Sequence, residues 1–236
     1  GREVKEYLMV HPETGEDSYM CDDCLDEFYS SKIAKFFAER IFRGFCKKYP
    51  SLEVTDQADI STITRKILGY FDELGSMLSY QVSTEWTMKM LLEAPSKDIE
   101  RKRIDMVWIE PPASLFLALE YENKNEAIES DIEKLIASEA ELSILYCHPI
   151  DRDRIVNVVK SRMKEKYSDK LPLGNQFLLI LDPWVSRSTF GTGILEGVLV
   201  DRRGEEVGRG KAQVIKEEKS GHRMFVEVSW SQGGTT

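Results

Sequence analysis

The stretch "RIDMVWIEPPASLFLALEYENKNE", residues 103–126, decides how this chain is read. Two apolar runs flank Pro111 and Pro112, and their β-branched and aromatic content predicts two strands joined by a turn. Yet Asp105 sits inside the first run, and Glu120 and Glu122 close the second. A charge within a buried strand is costly unless it is paired or bound to a metal, so these carboxyls carry chemical information. Successive strand residues alternate between faces, which puts Phe116, Ala118, Glu120 and Glu122 on one side and Leu117, Leu119 and Tyr121 on the other. With Asp105 opposite on the adjacent strand, the three carboxylates converge. Clustered like charges repel unless a cation neutralises them, and a hard, oxygen-seeking ion such as Mg²⁺ suits the set.

Working outward, "DISTITRKILGYFDELG" spaces Ile60, Ile63, Ile67, Phe71 and Leu74 as a helix, with Asp59 as N-cap and Gly75 at its end. Earlier, "SSKIAKFFAERIFRGFC" sets Ile33, Phe36, Phe37, Ile41 and Phe45 on a core-facing helical stripe, capped by Ser30 or Ser31. "YQVSTEWTMKM" alternates Val82, Thr84, Trp86, Met88 and Met90 and reads as a strand. Downstream, "SDIEKLIASEA" opens with a capping-box pattern, Ser130 with Glu133, and carries Ile132, Leu135 and Ile136 on one face. "LSILYC" and "QFLLILDPW" are short apolar runs of the kind buried on both faces, with a helix, "DRDRIVNVVKSRMKEKY", between them. The last part reads as a hairpin plus one strand, turning at "RRGEE" and "KSGH". Three strands in a row favour an antiparallel meander, and the helix that follows lets the fourth strand return in parallel, giving a mixed α/β sheet.

The formal net charge of -9 argues against a protein that coats nucleic acid non-specifically, although it leaves room for a local basic face. No apolar run approaches the roughly 20 residues of a membrane span, and the first residues lack the apolar region of a secretory signal, so a cytoplasmic location without membrane contact is expected. Cys21 and Cys24, in "CDDC", have the spacing of half a zinc site. The other half is missing as a motif, since His11, Cys46, Cys147 and His148 are all distant, so reduced cysteines in an acidic loop are expected rather than zinc. Basic runs occur at "KDIERKR", "KSRMKEK" and "DRRGEEVGRGK", and such runs are usually solvated faces. In the first of them Arg101, Lys102 and Arg103 precede Asp105 directly, which makes them the phosphate-contacting candidates.

The order helix, strand, strand with Asp105, strand ending in "LEYEN", helix "SDIEKLIASEAE" and strand "LSILYC" resembles the core of the PD-(D/E)XK nuclease superfamily, over roughly residues 55–148. The resemblance implies a restriction-endonuclease-like core, a central mixed β-sheet flanked by helices, spanning residues 51–185. Residues 1–50 would be an acidic segment and a helix packed on it, and residues 186–236 a C-terminal β extension of the same domain. It also implies Mg²⁺- or Mn²⁺-dependent hydrolysis of phosphodiester bonds in nucleic acid, DNA foremost, and a homodimer is compatible with it. Asp105 and Glu120 would hold the ion, and Glu122 would be a further ligand or the base. An additional acid from the preceding helix would be Asp59 or Glu73. Ile104 stands where the family has Pro, and Glu122 stands where it has Lys, so Lys134 or Lys124 is the candidate replacement cation. Three alternatives follow from the same residues. In one, the glutamates mark an exposed strand end and Asp105 pairs with Arg101 or Arg103. In another, the chain is a catalytically degenerate module that binds nucleic acid or protein. In the third, Cys21 and Cys24 belong to a small zinc-binding interaction protein.

Overall fold

The structure is a computed structural model that describes residues 6–10, 17–21, 36–87, 103–110, 114–167, 175–184 and 189–232. Strands β1 (Glu6–Val10) and β2 (Asp17–Cys21) pair antiparallel as a separate two-stranded sheet. Helix α1 (residues 36–48) runs into a short 3₁₀ turn, and α2 (Ile60–Met77) follows. Three strands come next, β3 (Gln81–Thr87), β4 (Arg103–Glu110) and β5 (Ser114–Glu122). Helix α3 (Ile128–Ala137) leads to β6 (Leu142–Cys147), and α4 (Arg152–Tyr167) to β7 (Gln176–Leu181). Strands β8 (Ile194–Val200), β9 (Glu206–Lys216) and β10 (Arg223–Gln232) complete the chain.

The larger sheet is eight-stranded, in the order β10-β9-β8-β7-β6-β5-β4-β3. β3, β4 and β5 form an antiparallel meander, β5, β6 and β7 run parallel, and β7 to β10 are antiparallel again. The two parallel steps are the ones that contain a helix, because a parallel neighbour needs a crossover that a tight turn cannot provide. Strands from both 51–185 and 186–236 therefore share one sheet. Every residue of β6 and β7 is buried, as their unbroken apolar runs require. On one face α3 and α4 bury Ile132, Leu135, Val159 and Met163 against Val107, Ala118, Leu145 and Leu179. On the other, α1 and α2 bury Phe42, Phe45, Ile67 and Phe71 against Met106, Trp108, Leu119 and Tyr146.

Several local expectations change. The core stripe of α1 is Ala38, Ile41, Phe42, Phe45 and Cys46, whereas Phe36 is 56% exposed; Ile33, Ser30 and Ser31 lie outside the described residues, as do Met88 and Met90. Asp59 caps α2 by accepting from the Thr62 N–H at 2.8 Å. Gly75 does not end that helix but lets Trp108 approach, since a Cβ there would meet the indole at 2.7 Å. Helix α3 begins before Ser130, with Ala127 at the N-cap position and no side-chain cap. Ile128, one turn before Ile132, is buried with it, so the apolar stripe and not the capping pattern sets the start. A bulge in the β4–β5 ladder puts Trp108 opposite Leu117 and Ile109 opposite Leu115, leaving Phe116 as the extra residue. Its ring turns to the α1/α2 face and stacks on Tyr80 at 4.7 Å, so Phe116 does not share a face with Glu120.

A buried ion pair ties the C-terminal strands to the centre of the sheet. Both Arg223 on β10 and Asp182 after β7 are 0% exposed, and two guanidinium nitrogens donate to the two carboxylate oxygens at 2.6 Å each. Arg223 Nε donates to the Phe190 carbonyl at 2.6 Å, and the Tyr146 hydroxyl donates to Asp182. With these donors the Asp182 carboxylate sits far below its usual range although burial alone would raise it. Among the described residues no helix is long and apolar enough to cross a membrane.

Candidate carboxylate–lysine site

The β4–β5 ladder ends at the Met106–Leu119 pair, and one position further Asp105 faces Glu120. There the side chain replaces the ladder, for Asp105 Oδ2 accepts the Tyr121 backbone N–H at 2.9 Å. β6 continues beside β5, pairing Glu120 with Leu145 and Glu122 with Cys147. The acidic end of β5 is therefore the carboxyl end of a parallel pair, a common place for sites in α/β sheets. Glu120, on the α3 face, meets that helix at Lys134, with Nζ 2.6 Å from Glu120 Oε1. The same ammonium lies 2.9 Å from Asp131 Oδ1 and donates to the Arg103 carbonyl at 2.8 Å. Three oxygens thus surround a side chain that is 12% exposed.

Burial, and next the Asp105 charge, push the Glu120 carboxyl up to about 9, despite Lys134. The neutral form of Glu120 is therefore favoured, and the neighbouring Asp105 carboxyl is itself raised by burial. Glu122 is half-buried; its Oε1 accepts the Lys124 N–H at 2.7 Å. Burial raises its carboxyl, and the Asp131 charge raises it further against the lowering pull of the Lys124 N–H. Burial disfavours the Lys134 ammonium, but Glu120 and Asp131 outweigh it and hold the group above its ordinary value.

Among the described residues four carboxyls gather about one ammonium. Asp131 was not singled out from sequence; its position three residues before Lys134, on one face of a predicted helix, was the available signal. Asp59 and Glu73 are not brought to the cluster, since α2 packs on the opposite face of the sheet. Arg103 pairs with Glu85 at 3.0 Å instead of with Asp105. Lys124 is exposed and meets Glu122 through its backbone only, as far as the described contacts go. Arg101, Lys102, Cys24 and His11 lie outside the described residues, and of Cys21 only the backbone is described. Cys46 and Cys147 are buried in opposite core layers, too far apart to share one ion.

Among the described residues no group of three or more His, Cys, Asp or Glu side chains is gathered closely enough to hold a metal unaided. Mg²⁺ does not require one, since it commonly takes one or two carboxylates and completes its shell with water and substrate oxygens. Asp105 and Glu120 fit that role, since both bring hard carboxyl oxygens to the same end of the β4–β5 pair. The fold and site together define an α/β protein with a buried carboxylate–lysine cluster at the end of a central strand. No protein-family model and no curated protein matches the chain.

Proposed function

We propose that this cluster is the active site of a divalent-metal-dependent phosphodiesterase that cleaves nucleic acid, DNA foremost, on a restriction-endonuclease-like core of the PD-(D/E)XK kind. The observation that carries the reading is the Lys134 ammonium, 2.6 Å from Glu120. It brings from helix α3 the cation that the resemblance locates on the strand, where this chain has Glu122. The element order supports the same reading: α2, an antiparallel meander β3–β4–β5, α3, and β6 parallel to β5.

Asp105 and Glu120 hold the ion. A bound Mg²⁺ or Mn²⁺ supplies charge neutralisation at the phosphate and acidifies a coordinated water. Lys134 stabilises the negative charge that builds on the phosphate oxygens, in a pocket where burial strengthens the interaction. Glu122, half-buried beside Asp131 with its proton affinity raised, accepts the proton of the attacking water. Incubation with linear, circular and single-stranded DNA, with Mg²⁺ or Mn²⁺ against a chelator, tests this. Metal-dependent cleavage is expected; no cleavage of any substrate would sink it.

A second reading is a degenerate module that keeps the fold for binding. It is favoured by one observation: Lys134 is already enclosed by oxygens of Glu120, Asp131 and Arg103, as a structural ion pair would be. Calorimetry separates the two, because a silent titration with both ions supports the module and measurable binding supports the enzyme.

A further inference from the structure

The exposed residues of α1 (residues 36–48) are Phe36, Arg40, Arg43, Lys47 and Lys48. At 3.6 residues per turn the first four fall on one stripe about 60° wide and about 16 Å long. This concentration of positive charge belongs to a chain whose net charge is -9. Arg43 pairs with Glu39 at 2.8 Å, while among the described residues Arg40, Lys47 and Lys48 have no ion-pair partner. In the other basic runs Lys160, Arg162, Lys166 and Arg209 are each engaged by glutamates, while Lys164, Arg203 and Lys211 stand scattered without an ion-pair partner among the described residues. Lysines in a last turn complement the helix dipole, which accounts for Lys47 and Lys48. The dipole does not account for Arg40 and Arg43 further back, nor for Phe36, whose ring is 56% exposed with the Arg40 guanidinium 4.7 Å from its centroid.

We propose that this stripe of α1 binds single-stranded nucleic acid, with backbone phosphates along Arg40, Arg43 and Lys47 and a base stacked on Phe36. Interleaved cations and an exposed aromatic are what single-strand binders combine, because every unpaired base offers a ring face and every nucleotide a charge. A duplex keeps its ring faces stacked, so the phenyl group selects the single strand. The inference rests on the reading of the chain as acting on nucleic acid and adds to it a surface outside the carboxylate–lysine cluster.

The test is fluorescence anisotropy of a labelled oligothymidine of about 20 nucleotides, a length that covers several contacts, titrated with the full chain in chelator over a salt series. The variants are the triple substitution Arg40→Gln, Arg43→Gln, Lys47→Gln and the single Phe36→Ala, all at exposed positions, with melting temperature as the folding control. Each phosphate contact contributes about 0.7 to the salt slope on a single strand, so the triple variant should lower the slope by about 2. Phe36→Ala should weaken binding about tenfold and leave the slope unchanged. Absence of wild-type binding, an unchanged slope in the triple variant, or equal affinity for a duplex of the same length would overturn the proposal. So would a loss of binding to phosphatidylserine vesicles in the triple variant with oligonucleotide binding untouched. No divalent ion is present, so a failure of cleavage leaves this result independent, and a failure here leaves the cleavage assay independent.

Discussion

At the residue scale, Glu120 has two measurable consequences. Its carboxyl lies at about 9 in the folded chain against an ordinary 4.5. The folded state therefore binds a proton that the unfolded state releases, and stability falls as pH rises across that window. The contribution of the neutral form is complete below 4.5 and lost by about 9. In chelator, Glu120→Gln should flatten this slope and make the variant more stable than wild type at pH 8.5, by at least about 1 kcal/mol, as read from denaturant midpoints; parallel pH profiles would contradict the assignment. A metal competes with the same proton, so the apparent Mg²⁺ affinity should climb with pH towards about 9, with proton release seen by calorimetry in buffers of different ionisation enthalpy. Removing the counter-charge is the complementary change. Lys134→Met strands Asp131 and Glu120 in a buried pocket, and a loss of up to about 3 kcal/mol is expected, softened because Glu120 can keep its proton.

The three strand carboxyls were legible because charges inside apolar runs stand out. Asp131 was not, since an acid within a helix that carries both signs looks like ordinary surface until α3 is docked on the sheet. The α2 acids misled for the same reason: helical spacing shows which residues share a stripe, but not which face of the sheet the helix covers.

At the scale of elements, period and composition predicted α2, α4 and β3 to β10 well, because burial there is one-sided or complete. The β1–β2 pair escaped, as did the exposure of Ile60, which lies off the core stripe of α2; so did two features of packing, the bulge at Phe116 and the outward turn of Phe36. Both depend on a partner distant in sequence: Phe116 leaves its face to stack on Tyr80, and α1 is oriented by Phe42, not by its first aromatics. Phe42 lies across the sheet where glycines leave space, and a Cβ at Gly210 would meet its ring at 2.5 Å. Gly210→Ala should consequently push α1 outward and cost about 1–3 kcal/mol in unfolding free energy. Phe42→Leu in the same background should recover part of that loss; equal stability of Gly210→Ala and wild type would mean that α1 is not seated there.

At the scale of the molecule, the open question in the sequence was whether the last strands extend the sheet. They do, through β7–β8 pairing and through the Asp182–Arg223 pair, which no local pattern could announce because its members are 41 residues apart. Arg223→Met leaves a carboxylate buried without a partner and should cost about 3–5 kcal/mol, whereas adding Asp182→Leu should restore much of it, as chemical denaturation of single and double variants would reveal. A double variant no more stable than Arg223→Met would show that the pair is not the source of the effect.

The proposed chemistry of the molecule is hydrolysis of phosphodiester bonds, with a divalent ion, at the cluster on β4, β5 and α3. The measurement that meets it most directly is the initial rate of DNA cleavage in Mg²⁺ by wild type, Glu120→Ala and Lys134→Met, each shown to be folded. A metal-dependent wild-type rate that drops roughly 10²–10³-fold in both variants is expected. Cleavage that persists unchanged in Glu120→Ala, or no cleavage by the folded wild-type chain, would contradict it.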